Sequence, residues 1–159
     1  MTGYPTLKFF PKGSTEATPY ESSRTEAALT AFLNEKAGTH RAVGGGLNEF
    51  AGRIAAFDEE LKNLVHGEVQ TLTTVTENIL KLAEESKDTY VSYYVKALSK
   101  LTKDAEYVEK ELKRIRGILA RGGDLASKKK DEFTVKANIL AQFYAAKAEQ
   151  NKEDAKDEL

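Results

Sequence analysis

The sequence contains no cysteine among its 159 residues. Because the nucleophile of thiol–disulfide exchange is a cysteine thiolate, the chain by itself cannot carry out that reaction, and it must fold without disulfides. We therefore expect the chain as it stands not to be an enzyme. It also lacks an apolar run long enough to span a bilayer, which argues against a membrane partner. A formal net charge of -1 provides no basic surface typical of nucleic-acid binding.

The sequence also has little that could hold a metal or a cofactor. Its two histidines, His40 and His66, lie far apart and have neither cysteine nor paired carboxylates near them, so no zinc ligand set is present. The glycine run at residues 44–46 lacks the lysine and the serine or threonine of a phosphate-binding loop. We therefore predict no cofactor and no metal site, and we interpret residues 41–46 as a linker.

The chain ends in Lys156-Asp157-Glu158-Leu159, the four-residue address that a retrieval receptor of the endoplasmic reticulum (ER) recognises. Residues 149–159 form a charged tail that we expect to stay solvated and accessible. The alternative is an acidic, frayed helix end without a targeting role. The address predicts residence in the ER lumen. The chain, however, begins Met1-Thr2-Gly3-Tyr4-Pro5, without the basic and apolar regions of a signal peptide. We therefore expect the chain to be the C-terminal part of a longer precursor.

The first forty residues predict a hairpin followed by a helix. The segment Thr6–Phe10 alternates apolar and polar residues, and the Pro-Lys-Gly-Ser segment after it is typical of a turn. A weaker second strand is centred on residues 18–21, where Pro19 fits only an edge strand. Thr25 then predicts a helix N-cap and Gly38 the helix end.

Several residues of this segment carry a resemblance. The run from Gly3 to Gly13, with Tyr20-Glu21, Arg24 and Phe32-Leu33, resembles the C-terminal half of a thioredoxin-fold domain of the protein disulfide isomerase family. The resemblance implies a cis proline at Pro5 that faces the active-site dithiol. It also implies that an extended substrate peptide binds at Tyr4, Pro5 and Thr6, by β-augmentation. Without the resemblance, Pro5 is interpreted as a trans proline that opens a strand.

The half of that fold that carries the Cys-x-x-Cys motif is absent from the sequence. Leu7, Phe9 and Phe32 should therefore lose much of the surface against which they would pack. Burying one such side chain contributes on the order of 1.5–3 kcal/mol, so losing several contacts matters in a unit of this size. We expect residues 1–40 to be marginally stable in isolation.

Residues 47–148 show five successive apolar stripes with helical spacing, joined by short polar connections. This pattern is typical of an all-α bundle. Gly122-Gly123 suggest a C-cap for the fourth helix, and Asp124 suggests an N-cap for the fifth. The predicted fold class is thus mainly α, a five-helix bundle preceded by a partial thioredoxin fold. The stripes are Leu47, Phe50, Ile54, Phe57, Leu61 and Leu64; Val69, Leu72, Thr76, Ile79, Leu80 and Ala83; Val91, Tyr94, Val95, Leu98 and Leu101; Val108, Leu112, Ile115 and Leu119; and Phe133, Ala137, Leu140 and Tyr144.

The bundle, from Leu47 to Tyr144, is similar to the helical D domain that ends a subset of disulfide isomerases and also occurs in a redox-inactive ER chaperone. The resemblance rests on Gly45-Gly46-Leu47, on the Tyr90–Tyr94 stretch, on Tyr107-Val108 and on two segments of the last helix, residues 129–133 and 138–143. It implies assistance to secretory cargo through contacts with polypeptide. The spacing alone indicates only a bundle.

Tyr90, Tyr93 and Tyr94 are candidates for a client-binding surface, since tyrosine combines apolar area with a polar tip. The alternative, which we favour, packs Tyr90 and Tyr94 into the core and leaves Tyr93 at its rim. Phe143 and Tyr144 pose the same choice, and there too we expect core packing.

Two functions follow. In the first, the chain is the non-catalytic C-terminal part of an ER protein disulfide isomerase that binds unfolded or secretory polypeptides and is held in the ER by its retrieval receptor. In the second, it is a stand-alone, redox-inactive ER chaperone or adaptor. Both are compatible with a homodimer, because an exposed and a buried apolar stripe have the same sequence pattern.

Overall fold

The computed structural model describes residues 6–64, 68–123 and 125–157, with side chains through residue 146. Two compact units are present, Met1–Asn48 and Glu49–Leu159. The predicted class is confirmed: a hairpin and one helix precede five further helices. The elements in chain order are β1 (Lys8–Phe9), β2 (Thr18–Pro19), α1 (Glu26–Ala37), α2 (Ala55–Leu61), α3 (Val69–Glu85), α4 (Val91–Leu101), α5 (Tyr107–Ala120) and α6 (Ser127–Asp157).

The hairpin is antiparallel, as predicted, but each strand is only two residues long. Lys8 lies opposite Pro19 and Phe9 opposite Thr18. The Tyr20 N–H donates to the Leu7 carbonyl at 2.9 Å, and a turn closes where the Ser14 N–H donates to the Pro11 carbonyl at 3.0 Å. Because the described residues form a sheet of two strands, Pro19 occupies an edge position, where its missing N–H costs no ladder bond.

Helix α1 begins and ends where the sequence predicts. The Thr25 side chain accepts a hydrogen bond from the Ala28 N–H at 3.3 Å, which satisfies one of the free donors of the first turn. Gly38 takes the left-handed conformation, with φ at 61°, which ends the helix. The Phe32 ring packs edge-on against Phe9 at 5.5 Å and Tyr20 at 4.9 Å between centroids. No residue of α1 is fully buried, however, so its apolar face is only partly covered.

Residues 41–47, which include the segment interpreted as a linker, form a short hairpin. Arg41 and Leu47 make an antiparallel bridge. Asn34, on α1, holds the loop: its Nδ2 donates to the Arg41 carbonyl at 2.8 Å, and its Oδ1 accepts from the Arg41 N–H at 2.8 Å. The loop therefore belongs to the first unit, and the division between units falls after Asn48.

Helix α2 is shorter than predicted. The stripe from Leu47 to Leu64 suggested one helix, but α2 covers only Ala55–Leu61. Gly52 explains the difference, because its φ of 75° is incompatible with a right-handed helix. Phe50 consequently lies outside the core and is 52% exposed, Ile54 is half-buried, and Phe57, Leu61 and Leu64 are buried.

The bundle core comes from one side of each later helix, and α5 and α6 make its most extensive helix pair. Two predicted stripes are displaced around their helices. On α3, Val75 and Ile79 are buried while Val69 and Leu80 are exposed, and on α6 Phe143 is buried while Tyr144 is 41% exposed. The expectation of core packing is therefore right for Phe143 and wrong for Tyr144. The buried residues of α4 to α6 are Tyr94, Ala97, Leu98, Leu101, Val108, Leu112, Ile115, Val135, Ala137, Ile139, Leu140, Phe143 and Ala146.

The predicted caps around residue 122 differ from the structure. Helix α5 ends at Ala120 with Arg121 as its C-cap in a right-handed conformation. Neither Gly122 nor Gly123 has a positive φ, so the glycine C-cap prediction is wrong. Asp124 lies outside the described residues, and α6 begins at Ser127.

Candidate functional site

Tyr94 lies at the centre of the second unit, and its side chain is fully buried. Its hydroxyl donates to Asp58 Oδ1 at 2.7 Å and accepts from the Ile54 N–H at 3.1 Å. Its ring meets Phe57 edge-on at 5.2 Å. Burial is the main cause that raises the pKa of Tyr94, and its hydrogen bond to the Asp58 carboxylate adds to the effect. Tyr94 is therefore packed in the core, as the favoured alternative expected, and is not accessible to a client.

Tyr90 marks the start of α4 and is half-buried. Its N–H donates to Asp88 Oδ1 at 2.8 Å. Its carbonyl accepts from the N–H of Tyr93 at 2.9 Å and, more weakly, from that of Tyr94 at 3.3 Å. The backbone of Tyr90 therefore helps to start the helix that places the next two tyrosines.

Tyr93 is half-buried at the rim of the core, and part of its side chain remains accessible. Its hydroxyl oxygen is buried and has no hydrogen-bond partner among the described residues. Burial raises the pKa of Tyr93, and the nearby Tyr107 and Glu111 raise it further. A neutral, buried phenol with an unused donor results, while the rest of the ring edge stays half-exposed.

Cations and aromatic rings surround Tyr93. The Lys136 ammonium lies 5.7 Å from the centre of the Tyr93 ring and 5.9 Å from that of Phe133, within the range of a cation–π interaction. On α5, Arg114 makes two hydrogen bonds to the Glu111 carboxylate, each 2.7 Å long. We define the Tyr93 surface as Tyr93, Tyr107, Arg114, Phe133 and Lys136, which come from α4, α5 and α6.

Ion pairs hold the α6 side of the Tyr93 surface. Glu132 Oε1 lies 2.5 Å from Lys136 Nζ, and its Oε2 lies 2.7 Å from Lys129 Nζ. Hydrogen bonds from these two ammonium groups lower the pKa of Glu132 to about 2. Glu132 therefore stays ionised at neutral pH and keeps Lys136 close to the two rings.

Sequence reasoning identified Tyr93 but missed the other members of the Tyr93 surface. Tyr107 and Arg114 are seven residues apart on α5, with Glu111 between them, so helical spacing places all three on one face. That pattern was available in the sequence. What the sequence could not supply was that α6 brings Lys136 and Phe133 to the same place.

Of the three residues to which the thioredoxin resemblance assigns substrate binding, the structure describes one. Tyr4 and Pro5 lie outside the described residues, so the Pro5 isomer is not defined. Thr6 is exposed and precedes β1.

The backbone of Lys156 and Asp157 belongs to α6, while Glu158 and Leu159 lie outside the described residues. Helix α6 thus continues through most of the predicted charged tail, residues 149–159.

Among the described residues, no helix has both the length and the apolar character needed to cross a membrane. Over the same residues, which include His40 but not His66, no three His, Cys, Asp or Glu side chains gather as a metal site would require.

The bundle matches the model of a known protein family. Residues 52–143 match the model of the family described as endoplasmic reticulum protein ERp29, C-terminal domain. The match begins at the Gly52 turn and ends at the buried Phe143, so it covers α2 to α5 and α6 as far as Phe143.

Curated relatives match over both units. The chain is 48% identical over 159 residues to the protein disulfide-isomerase tigA of Aspergillus niger, which covers 100% of this chain and 41% of that protein. It is 46% identical over 158 residues to the protein disulfide-isomerase erp38 of Neurospora crassa, with 97% and 42% covered. It is 34% identical over 147 residues to the protein disulfide isomerase-like 2-2 of Oryza sativa, with 90% and 39% covered. The chain spans about two fifths of the length of these relatives.

Proposed function

Because the chain belongs to the family of the ERp29 C-terminal domain, we propose that it forms the C-terminal, polypeptide-binding part of an ER protein disulfide isomerase. The observation that carries this proposal is the 48% identity to an isomerase over all 159 residues of this chain. Thiol–disulfide exchange would take place in another part of that protein, since this chain has no cysteine.

The Tyr93 surface is the proposed contact for unfolded or secretory polypeptides. The half-buried rings of Tyr93, Tyr107 and Phe133 offer apolar area, and Arg114 and Lys136 offer charge. Such a mixture suits weak contacts with many sequences, because it does not depend on one specific side chain of the client. Tyr90, half-buried at the start of α4, is proposed to lie at the edge of the Tyr93 surface.

The last four residues, Lys156 to Leu159, are the proposed ER retrieval signal. This signal would bind the retrieval receptor and keep the protein in the ER lumen. Its role is independent of client binding.

The absence of cysteine also favours a second candidate, a redox-inactive ER chaperone or adaptor that works without a catalytic domain. Both candidates place polypeptide binding in this chain. They differ in whether a dithiol acts on the bound client.

A client-binding assay tests the shared part of the proposal. The probe is a reduced, carboxymethylated secretory protein, which is permanently unfolded, and binding is measured by fluorescence anisotropy. We expect weak binding that falls about two- to fivefold in Lys136→Ala, the range of one exposed cation–π contact. The matched control is Lys62→Ala, which removes an exposed, ion-paired lysine at the C-cap of α2 and should bind as the wild type does.

Two results would contradict the proposal. One is the absence of any binding to the unfolded client at high protein concentration. The other is turnover in an insulin-reduction assay by this chain alone, because that would place redox chemistry in a sequence that has no thiol.

A further inference from the structure

Helix α3 has a second apolar side that the described residues of the bundle cover only in part. Its core side carries Val75 and Ile79, which are buried, whereas Val69 is 78% and Leu80 44% exposed. At 100° per residue, Val69 and Leu80 lie within about 20° of each other around the helix and about 16 Å apart along it. The two exposed side chains therefore belong to one stripe.

Half-buried residues connect the two ends of this stripe. Leu72 and Thr76 lie between Val69 and Leu80 on the same side of α3, next to the core side. We define the α3 stripe as Val69, Leu72, Thr76 and Leu80. It runs along about three turns, and a run of this kind along one helix is more than the scattered single apolar residues normal for a surface.

The surroundings of the α3 stripe are acidic. Residues 68–85 contain four glutamates and one lysine. An open depression of about 820 Å³ runs along the first turns of α3, and its described lining includes Glu68 and Glu77 but no basic side chain. Further along the helix, helical spacing places Glu84 on the same flank as Glu77. The stripe is thus apolar along its length and negatively charged at its border.

This charge decides which occupant fits. A second copy of α3 would bring glutamates against glutamates, which disfavours self-association. Two exposed aliphatic side chains also offer much less than the roughly 800 Å² per partner of a stable dimer. A short helix with one apolar face and flanking lysines or arginines would match both the stripe and its border.

We propose that the α3 stripe binds a basic amphipathic helix of a client polypeptide. The client's apolar residues would cover Val69 and Leu80, and its cations would lie against Glu77 and Glu84. This inference rests on the proposed polypeptide-binding function and specifies one class of segment that the chain recognises. The stripe is separate in sequence from the Tyr93 surface, so each can be tested without altering the other.

A pair of labelled peptides tests this proposal by fluorescence anisotropy with the full chain. One is an 18-residue leucine and lysine peptide with helical spacing, and its twin carries glutamate in place of every lysine. We expect the wild type to bind the basic peptide and not the acidic one. Leu80→Ser should weaken that binding about tenfold, as expected for a well-covered aliphatic side chain, and Glu77→Lys should weaken it and reduce its salt dependence.

The matched control is Tyr144→Ser, which removes an exposed apolar residue from α6 and should leave peptide binding unchanged. Circular dichroism checks that each variant keeps its helix content. Equal binding of both peptides would overturn the proposal, as would full binding by Leu80→Ser. A wild-type dimer that Leu80→Ser dissociates in sedimentation would overturn it too, because the stripe would then bind a second copy.

The outcome also separates this inference from the function on which it rests. If the carboxymethylated client binds and the basic peptide does not, the α3 proposal fails and the general proposal stands. If neither probe binds, both fail.

Discussion

At the residue scale, two adjacent tyrosines have opposite roles. Tyr94 donates one hydrogen bond and accepts another inside the core, while the buried Tyr93 hydroxyl has no partner among the described residues. A buried hydroxyl without a partner has lost its hydrogen bonds to water without replacement, whereas a paired one has not. The same chemical change at the two positions should therefore have opposite effects on stability.

We predict that Tyr94→Phe lowers the free energy of unfolding by about 1–3 kcal/mol, because the Ile54 N–H loses its acceptor and Asp58 Oδ1 loses its donor, while Arg53 still bonds Asp58 Oδ2. Tyr93→Phe should leave stability unchanged or raise it by about 1 kcal/mol, because it removes only an unpaired group. Urea titrations followed by circular dichroism measure both. Equal destabilisation by the two changes would contradict the assigned roles.

The sequence predicted the burial of Tyr94 but not its partners. Helical spacing places Tyr94 in the same stripe as Leu98 and Leu101, and all three are buried. Asp58, however, is 36 residues away and on another helix. Only the packed structure brings that carboxylate to the hydroxyl, so periodicity alone cannot supply such a pair.

At the element scale, the segment before α2 shows how one backbone conformation ends a helical pattern. Gly52 has a φ of 75°, and a Cβ added there would collide with the side chain of Val135 on α6. Nearby, Asn138 Nδ2, also on α6, donates to the Ala51 carbonyl at 3.1 Å. Any other residue at position 52 would therefore have a strained backbone. The turn also packs closely against α6.

We predict that Gly52→Ala destabilises the protein by about 2–4 kcal/mol, through the left-handed backbone and the collision with Val135 together. The control is Gly117→Ala in the interior of α5, where an added Cβ meets nothing closer than 4.0 Å. That change should stabilise the protein by up to about 1 kcal/mol, because alanine favours helix. Thermal unfolding measures both, and a neutral Gly52→Ala would refute the assignment.

The number of helices was easier to predict than their orientation. The charged and polar segments between the apolar stripes correctly predicted where α3, α4 and α5 are separated, because helices need such connections. The buried side was misplaced on α3 and α6, where apolar residues continue around the helix beyond the core. Val69, Leu80 and Tyr144 illustrate this: each has helical spacing and apolar area, and each is exposed.

At the scale of the whole molecule, the two units differ in how much they bury. Every fully buried apolar residue described lies at Ala51 or later, in the second unit. The first unit relies on the ring contacts of Phe32 and on hydrogen bonds around Asn34 and the hairpin. Because apolar burial is the main source of stability, the first unit should open at low cost.

We predict that amides of residues 6–48 exchange fast with deuterium, while those of α4, α5 and the first half of α6 are protected. Removing residues 1–48 should leave the cooperative melting of the remaining chain within a few degrees of the original. Hydrogen exchange with mass spectrometry and calorimetry measure the two effects. Strong protection of Leu7 to Phe10 in a monomer would contradict this prediction, as would loss of cooperative melting after the truncation.

Helix α6 runs on from Lys147 to Asp157 after its last described buried residue, Ala146. The only apolar residues in that extension are two alanines. A helical segment of this length is marginal in water without packing, so we expect this end of α6 to fray to coil on a timescale of about a microsecond. If a receptor binds the last four residues only in extended form, its apparent affinity equals its intrinsic affinity multiplied by the fraction of molecules in which this segment is coil. If the proposed retrieval signal acts in this way, substitutions far from the last four residues would change retention by altering helix propensity alone.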